Sequence, residues 1–307
     1  MDKSGFSEIR YVKHADIDKS RWDEVVGLSS NSRVYALSWF LDRASENWDA
    51  LIWGDYEFVM PLTIRRKWGI KYLFPPAYCQ QLGIFPVPTI TVQIEFFKRI
   101  KELFLYIDIQ VNSQMDPDGF SGLDVVTRDN FVLPLFGSYS DLSSNYSRDR
   151  AKNLLLSKKS GITVLTGMNS YEYISQKCRA LGCSVSKSSF EGLEAFISYT
   201  QSVGKGFIMH AYTRHNELCA AAFFVRSGSR VVYLNAFSTR EGRETSAMTA
   251  IIDQLIYEQA GSGLLLDFEG STVPGIAAFM KGFGAQYETY YRLSFNSLPL
   301  PLRWLKK

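Results

Sequence analysis

The stretch from Gly263 to Leu293, GLLLDFEGSTVPGIAAFMKGFGAQYETYYRL, constrains this chain more than any other part of it. Leu264, Leu265 and Leu266 follow a Gly-Ser-Gly break and form a short apolar run that suits a buried strand, ending in two carboxylates, Asp267 and Glu269. Gly270 and Ser271 close it. Pro274 stands where a first helical turn tolerates a residue without an N–H, and Ile276, Ala277, Phe279 and Met280 then give one apolar helical face. Gly282 and Gly284 stop that helix. From Gln286 to Phe295 the pattern alternates, with Tyr287, Thr289, Tyr291 and Leu293 on one face and Glu288, Tyr290 and Arg292 on the other. Strand, polar turn, helix and strand predict an α/β arrangement, and such folds place their sites beyond the carboxyl ends of strands.

A chain of 307 residues is long for one core, so two domains near 150 residues are expected. Hydrophobic content of 46% with 21% charged residues is that of a soluble globular protein. No run reaches the ~18 apolar residues of a membrane span. The polar start MDKSGFSEIR lacks a signal-peptide core, which makes the cytoplasm the expected location. Four scattered cysteines, Cys79, Cys178, Cys183 and Cys219, argue against a disulfide framework. The five-residue spacings Cys178/Cys183 and His210/His215 match no common zinc pattern, and no metal is expected. Charge is divided unevenly: residues 1–140 hold 15 Lys/Arg against 18 Asp/Glu, and 141–307 hold 19 against 13, so the halves stand at −3 and +6. A mildly basic second half favours an anionic partner such as a nucleotide, a phosphorylated lipid or RNA. It falls short of a dedicated nucleic-acid domain.

Along the chain, Asp16 to Leu28 and Leu37 to Ala44 read as helices. Trp48–Trp53 and Tyr56–Ile64 flank Gly54-Asp55 as a hairpin, and Trp68–Phe74 follows as a third strand, broken by Pro75-Pro76. Thr91–Phe104 reads as a helix; Tyr106–Asn112, Leu123–Thr127 and Phe131–Leu135 read as strands. The Ser/Tyr/Asp-rich segment after Gly137 is the candidate boundary, giving domains 1–138 and 139–307. The second begins with a basic helix over 146–159. Strand, two helices, three strands ending in Arg230–Phe237, the helix Glu244–Gln259 and the terminal unit complete it. The two halves repeat one order of elements, which predicts two copies of one α/β architecture.

That order, two helices, a three-strand meander, helix, strand, helix, strand, resembles the GNAT acyltransferase fold. Asp267-Phe268-Glu269-Gly270-Ser271 and Phe279-Met280-Lys281-Gly282-Phe283-Gly284 are similar to the DF-x-G and FK-x-FG signature near the end of the Fem-type peptidoglycan-bridge aminoacyltransferases. The basic helix before Gly161 resembles the Lys/Arg-rich segment that opens their second domain. The resemblance implies tandem GNAT-like domains, each with a mixed, mostly antiparallel sheet flanked by helices, the first degenerate. It implies transfer of an acyl or aminoacyl group to an amine, without a metal or a tightly bound cofactor, in a groove shared by the halves. Donors would be acyl-CoA or aminoacyl-tRNA, and the acceptor a small-molecule or nucleotide-linked amine such as a cell-wall precursor. An atypical acyl-CoA N-acyltransferase and a non-catalytic binding protein are the alternatives. The chain lacks the long charged helical hairpin that some Fem enzymes insert, which weighs against tRNA. GNAT enzymes that use acetyl-CoA usually present Gln/Arg-x-x-Gly-x-Gly/Ala before the long helix, where backbone N–H groups cradle the pyrophosphate. Here Ser238-Thr239-Arg240-Glu241-Gly242-Arg243-Glu244 puts Glu244 at the last position, where a carboxylate is expected to repel that phosphate. In the first half, Pro75, Pro76, Pro86 and Pro88 supply no N–H donors at the same place.

Amine acylation needs a proton acceptor and stabilisation of the oxyanion. Asp267 and Glu269 are the candidate catalytic bases, with helix capping as their structural alternative. Lys281, Tyr233, Asn235, Arg240 and Arg148 are the candidate substrate-binding residues. Lys281 serves equally well to compensate the helix dipole. His210 is a minor candidate base, and His215, at the tip of a hairpin, is expected simply to be exposed.

Overall fold

The computed structural model describes residues 8–45, 47–182, 188–270, 273–300 and 302–303. The chain forms two compact units, Met1–Arg128 with Thr289–Lys307, and Asp129–Glu288. The division expected at 138/139 falls inside the second unit, where Ser138 and Asp141 form a reciprocal capping box that starts a helix. The chain's last strand returns to the first unit from Thr289 onward.

The first unit opens with strand β1 (Ile9–Val12), which had no sequence signal of its own, and helices α1 (Lys19–Leu28) and α2 (Ser38–Ala44). Asp18 caps α1 by accepting the Ser20 and Arg21 N–H groups, and Trp22 and Val26 turn into the core. Strands β2 (Trp48–Trp53), β3 (Phe58–Lys67) and β4 (Ile70–Leu73) make the expected meander. Gly54 and Tyr56 take the left-handed backbone that the first turn needs. Helix α3 (Ile90–Leu103) is capped by Thr89 and buries Phe96, Phe97 and Ile100, each worth about 1.5–3 kcal/mol of apolar burial. Strand β5 (Tyr106–Val111) is followed by β6 (Asp124–Pro134), a single strand where two were expected; its first half is largely exposed and its second buried.

The second unit runs α4 (Tyr139–Ser144), α5 (Arg148–Lys159), β7 (Thr163–Thr166), α6 (Ser170–Ala180) and α7 (Ser188–Ser202). It continues with β8 (Gly206–Tyr212), β9 (Leu218–Ser227), β10 (Arg230–Ser238), α8 (Arg240–Glu244), α9 (Ala247–Gln259), β11 (Leu265–Asp267) and α10 (Pro274–Lys281). Strand β12 (Gln286–Asn296) closes the chain, and its residues from Tyr291 pair with β5.

The strand order is β1-β2-β3-β4-β5-β12 in the first unit and β6-β11-β10-β9-β8-β7 in the second. The orders correspond: an antiparallel meander, one parallel step (β4 to β5, β10 to β11), then an antiparallel strand supplied from a distant part of the sequence. This is the duplicated mixed α/β architecture that the element order predicted. The core of the second unit joins Ile251, Ile252, Leu255 and Ile256 of α9 to Phe224, Leu266, Phe268 and Phe283.

Candidate functional site

Strand β10 pairs with β11 only from Arg230 to Val232, and then the two part. A bulge against β9 between Tyr233 and Asn235 turns β10 further. Against this part of β10 lies a pocket of about 540 Å³ bounded by β10, the α8 segment, the first turn of α9, and helices α5 and α10. Its wall is mainly apolar, with Phe237, Met248, Ile276 and Phe279 prominent. Its charged lining residues are Arg150 and Arg243; no carboxylate lines it among the described residues.

Two glycines make this geometry possible. A Cβ on Gly242 would lie 2.0 Å from the Cys219 carbonyl oxygen, so only glycine lets α8 press against β9. A Cβ on Gly282 would come within 3.1 Å of Arg150 Nε and 3.2 Å of Ser147 Oγ, so this glycine clears room for Arg150. The residue with the left-handed stop after α10 is Gly284, at φ +83.

Arg150 is 6% exposed. Its Nη1 donates to Thr249 Oγ1 at 2.8 Å and its Nη2 to the Phe279 carbonyl at 3.2 Å. The guanidinium stacks over Phe279 and Phe283, 4.3 and 4.7 Å from the ring centroids. Burial pulls its pKa below the usual arginine value, against the attraction of Asp149 and Tyr146. Helix α9 begins beside it: Ser246 has a left-handed backbone and its hydroxyl makes no cap bond. Glu244 points outward, paired with Arg240 at 2.8 Å on an exposed helix face, so its carboxylate does not enter the pocket.

Of the residues singled out from sequence, Tyr233 lines the pocket. Burial raises the pKa of its hydroxyl, which therefore stays protonated. Asp267 lies elsewhere, fully buried in an ionic cluster. It accepts from Arg230 Nη1 at 2.7 Å, Asn130 Nδ2 at 3.0 Å and the Glu269 N–H at 3.0 Å. Glu288 holds the other side of Arg230 at 2.6 Å. Burial disfavours the Arg230 charge, but Asp267 and Glu288 outweigh it and hold its pKa above the usual value. Asp267 is thus a structural anion tying β11 to β10 and β6. Glu269 takes a left-handed backbone (φ +61) just past β11. Ser271 and Thr272, which precede Pro274, lie outside the described residues, as does Cys183.

Lys281 is exposed and lies over the Tyr287 and Phe131 rings, 4.4 and 5.5 Å from their centroids, away from the pocket wall. Arg148 is exposed and Arg240 is held by Glu244. Asn235 faces α6, where its side-chain oxygen accepts from Tyr173 at 2.9 Å and from Lys177. Lys177 also donates to the Ala236 carbonyl, and burial lowers its pKa to about 8. His210 lies on the α6 side of the sheet with Nδ1 buried and unbonded; burial lowers its pKa against the pull of Glu172. His215 sits exposed in the β8–β9 turn.

From the basic helix, sequence reasoning chose Arg148 over Arg150, and it missed Asn153, Ser246 and Thr249. The signal for Arg150 lay inside the basic helix: Arg150, Asn153 and Ser157 share the inward face of α5, while Arg148 is one of its outward cations.

No family model matches the sequence, and no curated protein matches it. Solved structures do match in fold. FemX aligns at a TM-score of 0.67 and 14% identity, covering 94% of this chain and 98% of its own. A tandem GNAT protein from the clavulanic acid biosynthesis pathway aligns at 0.56 and 11%, covering 95% and 99%. L-PGS from Bacillus licheniformis aligns at 0.56 and 12%, covering 91% and 96%. No helix among the described residues is long and apolar enough to cross a membrane. Along nearly its whole length the chain therefore has the fold of FemX and of tandem GNAT proteins.

Proposed function

We propose that this chain transfers an acyl or aminoacyl group to an amine, using the second unit's pocket to hold one of the two substrates. The carrying observation is the pocket that β10, past the end of its pairing with β11, lines together with the start of α9. Beyond Val232 the outer edge of β10 has no strand partner at β11, so its peptide groups are placed to bind an acyl carbonyl and the oxyanion formed from it. The amine attacks the carbonyl carbon, the tetrahedral intermediate collapses, and the leaving group takes a proton. Tyr233, protonated and on the wall, gives the leaving group that proton as its bond to the carbonyl carbon breaks, and the proton shed by the acylated amine returns through solvent to Tyr233. Asp267 plays no proton-transfer part in this reading, because it is fully buried away from the pocket and already accepts from Arg230, Asn130 and the Glu269 N–H.

Acyl-CoA as donor is favoured by one observation. The carboxylate of Glu244, which would oppose a pyrophosphate, is turned to solvent and paired with Arg240. Titration of the purified protein with acyl-CoA, with an aminoacyl-tRNA, and with a nucleotide-linked peptidoglycan precursor tests the proposal, with transfer to an amine followed by mass spectrometry. Saturable binding with product formation supports transfer and identifies the donor. Saturable binding without product under any pairing leaves a binding protein on this fold and refutes transfer.

A further inference from the structure

Arg150 presents a buried positive charge that no carboxylate among the described residues contacts; Asp149, beside it in sequence, attracts it without pairing with it. A buried cation is normally paired, because desolvation costs several kcal/mol that a counter-ion must offset. Among the described residues no carboxylate forms an ion pair with Arg150; its bonds go to a hydroxyl and a peptide carbonyl, and Nε has no partner. Joining α5 to α9 and α10 accounts for those two bonds, and a neutral donor would do it without burying charge. Nη1 and Nη2 each carry a second N–H, and Arg150 forms part of the pocket wall.

The rest of the wall has the same bias. Arg243 is its other charged residue, no acid lines it, and α9 starts there with a Ser246 hydroxyl that makes no cap bond. Opposite the charge, Phe237, Met248 and Ile276 form an apolar surface, and Ile276 is 45% exposed at the rim. The geometry points to an anionic group, phosphate or carboxylate, on an apolar body as the ligand class of this pocket, with Arg150 as its charge partner. That the ligand is a substrate rests on the acyl-transfer reading; that it is an anion does not.

The test titrates the full chain with octyl phosphate, octanoate and octanol. Octyl phosphate and octanoate are expected to bind at least about tenfold more tightly than octanol, because each makes a charge-assisted bond to Arg150. Arg150→Met closes that gap and Arg150→Lys restores part of it. Gly275→Trp, which places a ring in the pocket from a position with nothing within 4 Å of its Cβ, removes binding of all three. Equal affinity of wild type for octanol and octyl phosphate overturns the assignment, as does an unchanged gap in Arg150→Met or in Gly275→Trp. If Arg150→Met does not fold, the wild-type gap and the Gly275→Trp result decide. Competition by inorganic pyrophosphate assigns the anion to a soluble phosphoester. Sedimentation with phosphatidylglycerol but not phosphatidylcholine vesicles assigns it to a lipid headgroup. A gap without transfer to any amine refutes the acyl-transfer reading alone, and transfer without a gap refutes the anion assignment alone.

Discussion

Both units part at the same place, after the fourth strand of the sheet, and they differ in what occupies the opening. In the first unit β4 meets β5 at one pair, Leu73 with Ile107, and the chain then comes back to fill the space itself. Leu82 donates to the Gln110 carbonyl and accepts from the Asn112 N–H, while Phe85 exchanges both backbone bonds with Val59. Leu82, Ile84 and Phe85 are buried there. In the second unit no described segment pairs with β10 past Val232 on its β11 side, and a pocket of about 540 Å³ lies against this part of β10. The helix starts differ as well: Thr89 caps α3 with its own hydroxyl, and Ser246 does not cap α9. A duplicated fold thus keeps its core in both copies while leaving space for a ligand in one.

The largest expected effect is on the filled gap. Phe85→Ala removes a fully buried ring and should cost the first unit about 3–5 kcal/mol in denaturant unfolding. A loss below about 1 kcal/mol would mean that the returning segment is not a packed part of the core. Next come the ionic contacts at corresponding strands. Asp267→Asn weakens a buried pair with Arg230 and should cost about 3 kcal/mol. Asp108→Asn in the first unit weakens a pair whose Arg292 is 39% exposed, and should cost about 1 kcal/mol. Equal losses would erase this contrast. Full stability with lost transfer in Asp267→Asn would return Asp267 to a catalytic role.

A smaller effect concerns Lys177, the buried lysine under β10. Its folded pKa of about 8 lies below the unfolded 10.5, so below about pH 8 both states are protonated and the cost of burying the charge is fully present. Between about 8 and 10.5 the unfolded chain holds the proton and the folded chain has released it, so stability rises with pH. The rise should amount to roughly 1–3 kcal/mol and be absent from Lys177→Met, measured as the difference between the two proteins at pH 7.5 and 9.5. Parallel pH profiles would contradict it.

Local patterns carried most of the fold. The β2–β3 hairpin was readable from Gly54-Asp55, α10 from Pro274 and its apolar face, and β12 from its alternation, because each signal lies within about ten residues. Strand β1 was not readable, since four residues with mixed burial carry no period. Nor was the way β12 and β6 complete the sheets, because strand pairing over such separations leaves no local mark. The polar segment after Gly137 looked like a linker, yet Ser138 and Asp141 make it a capped helix. The site was harder for the same reason. Asp267 stands at a strand's carboxyl end, as a catalytic acid would, and only Arg230, 37 residues away, shows it to be a buried structural ion. Within α5, charge alone did not separate Arg148 from Arg150; the surroundings supplied by α9 and α10 do.

The central claim, that among the described residues it is the second unit whose opening takes a ligand, is tested most directly by octyl phosphate binding to Gly275→Trp alongside its thermal midpoint. The account predicts binding lost with the midpoint within about 2 °C of wild type, since the new side chain enters open space. Wild-type affinity in this variant would contradict it.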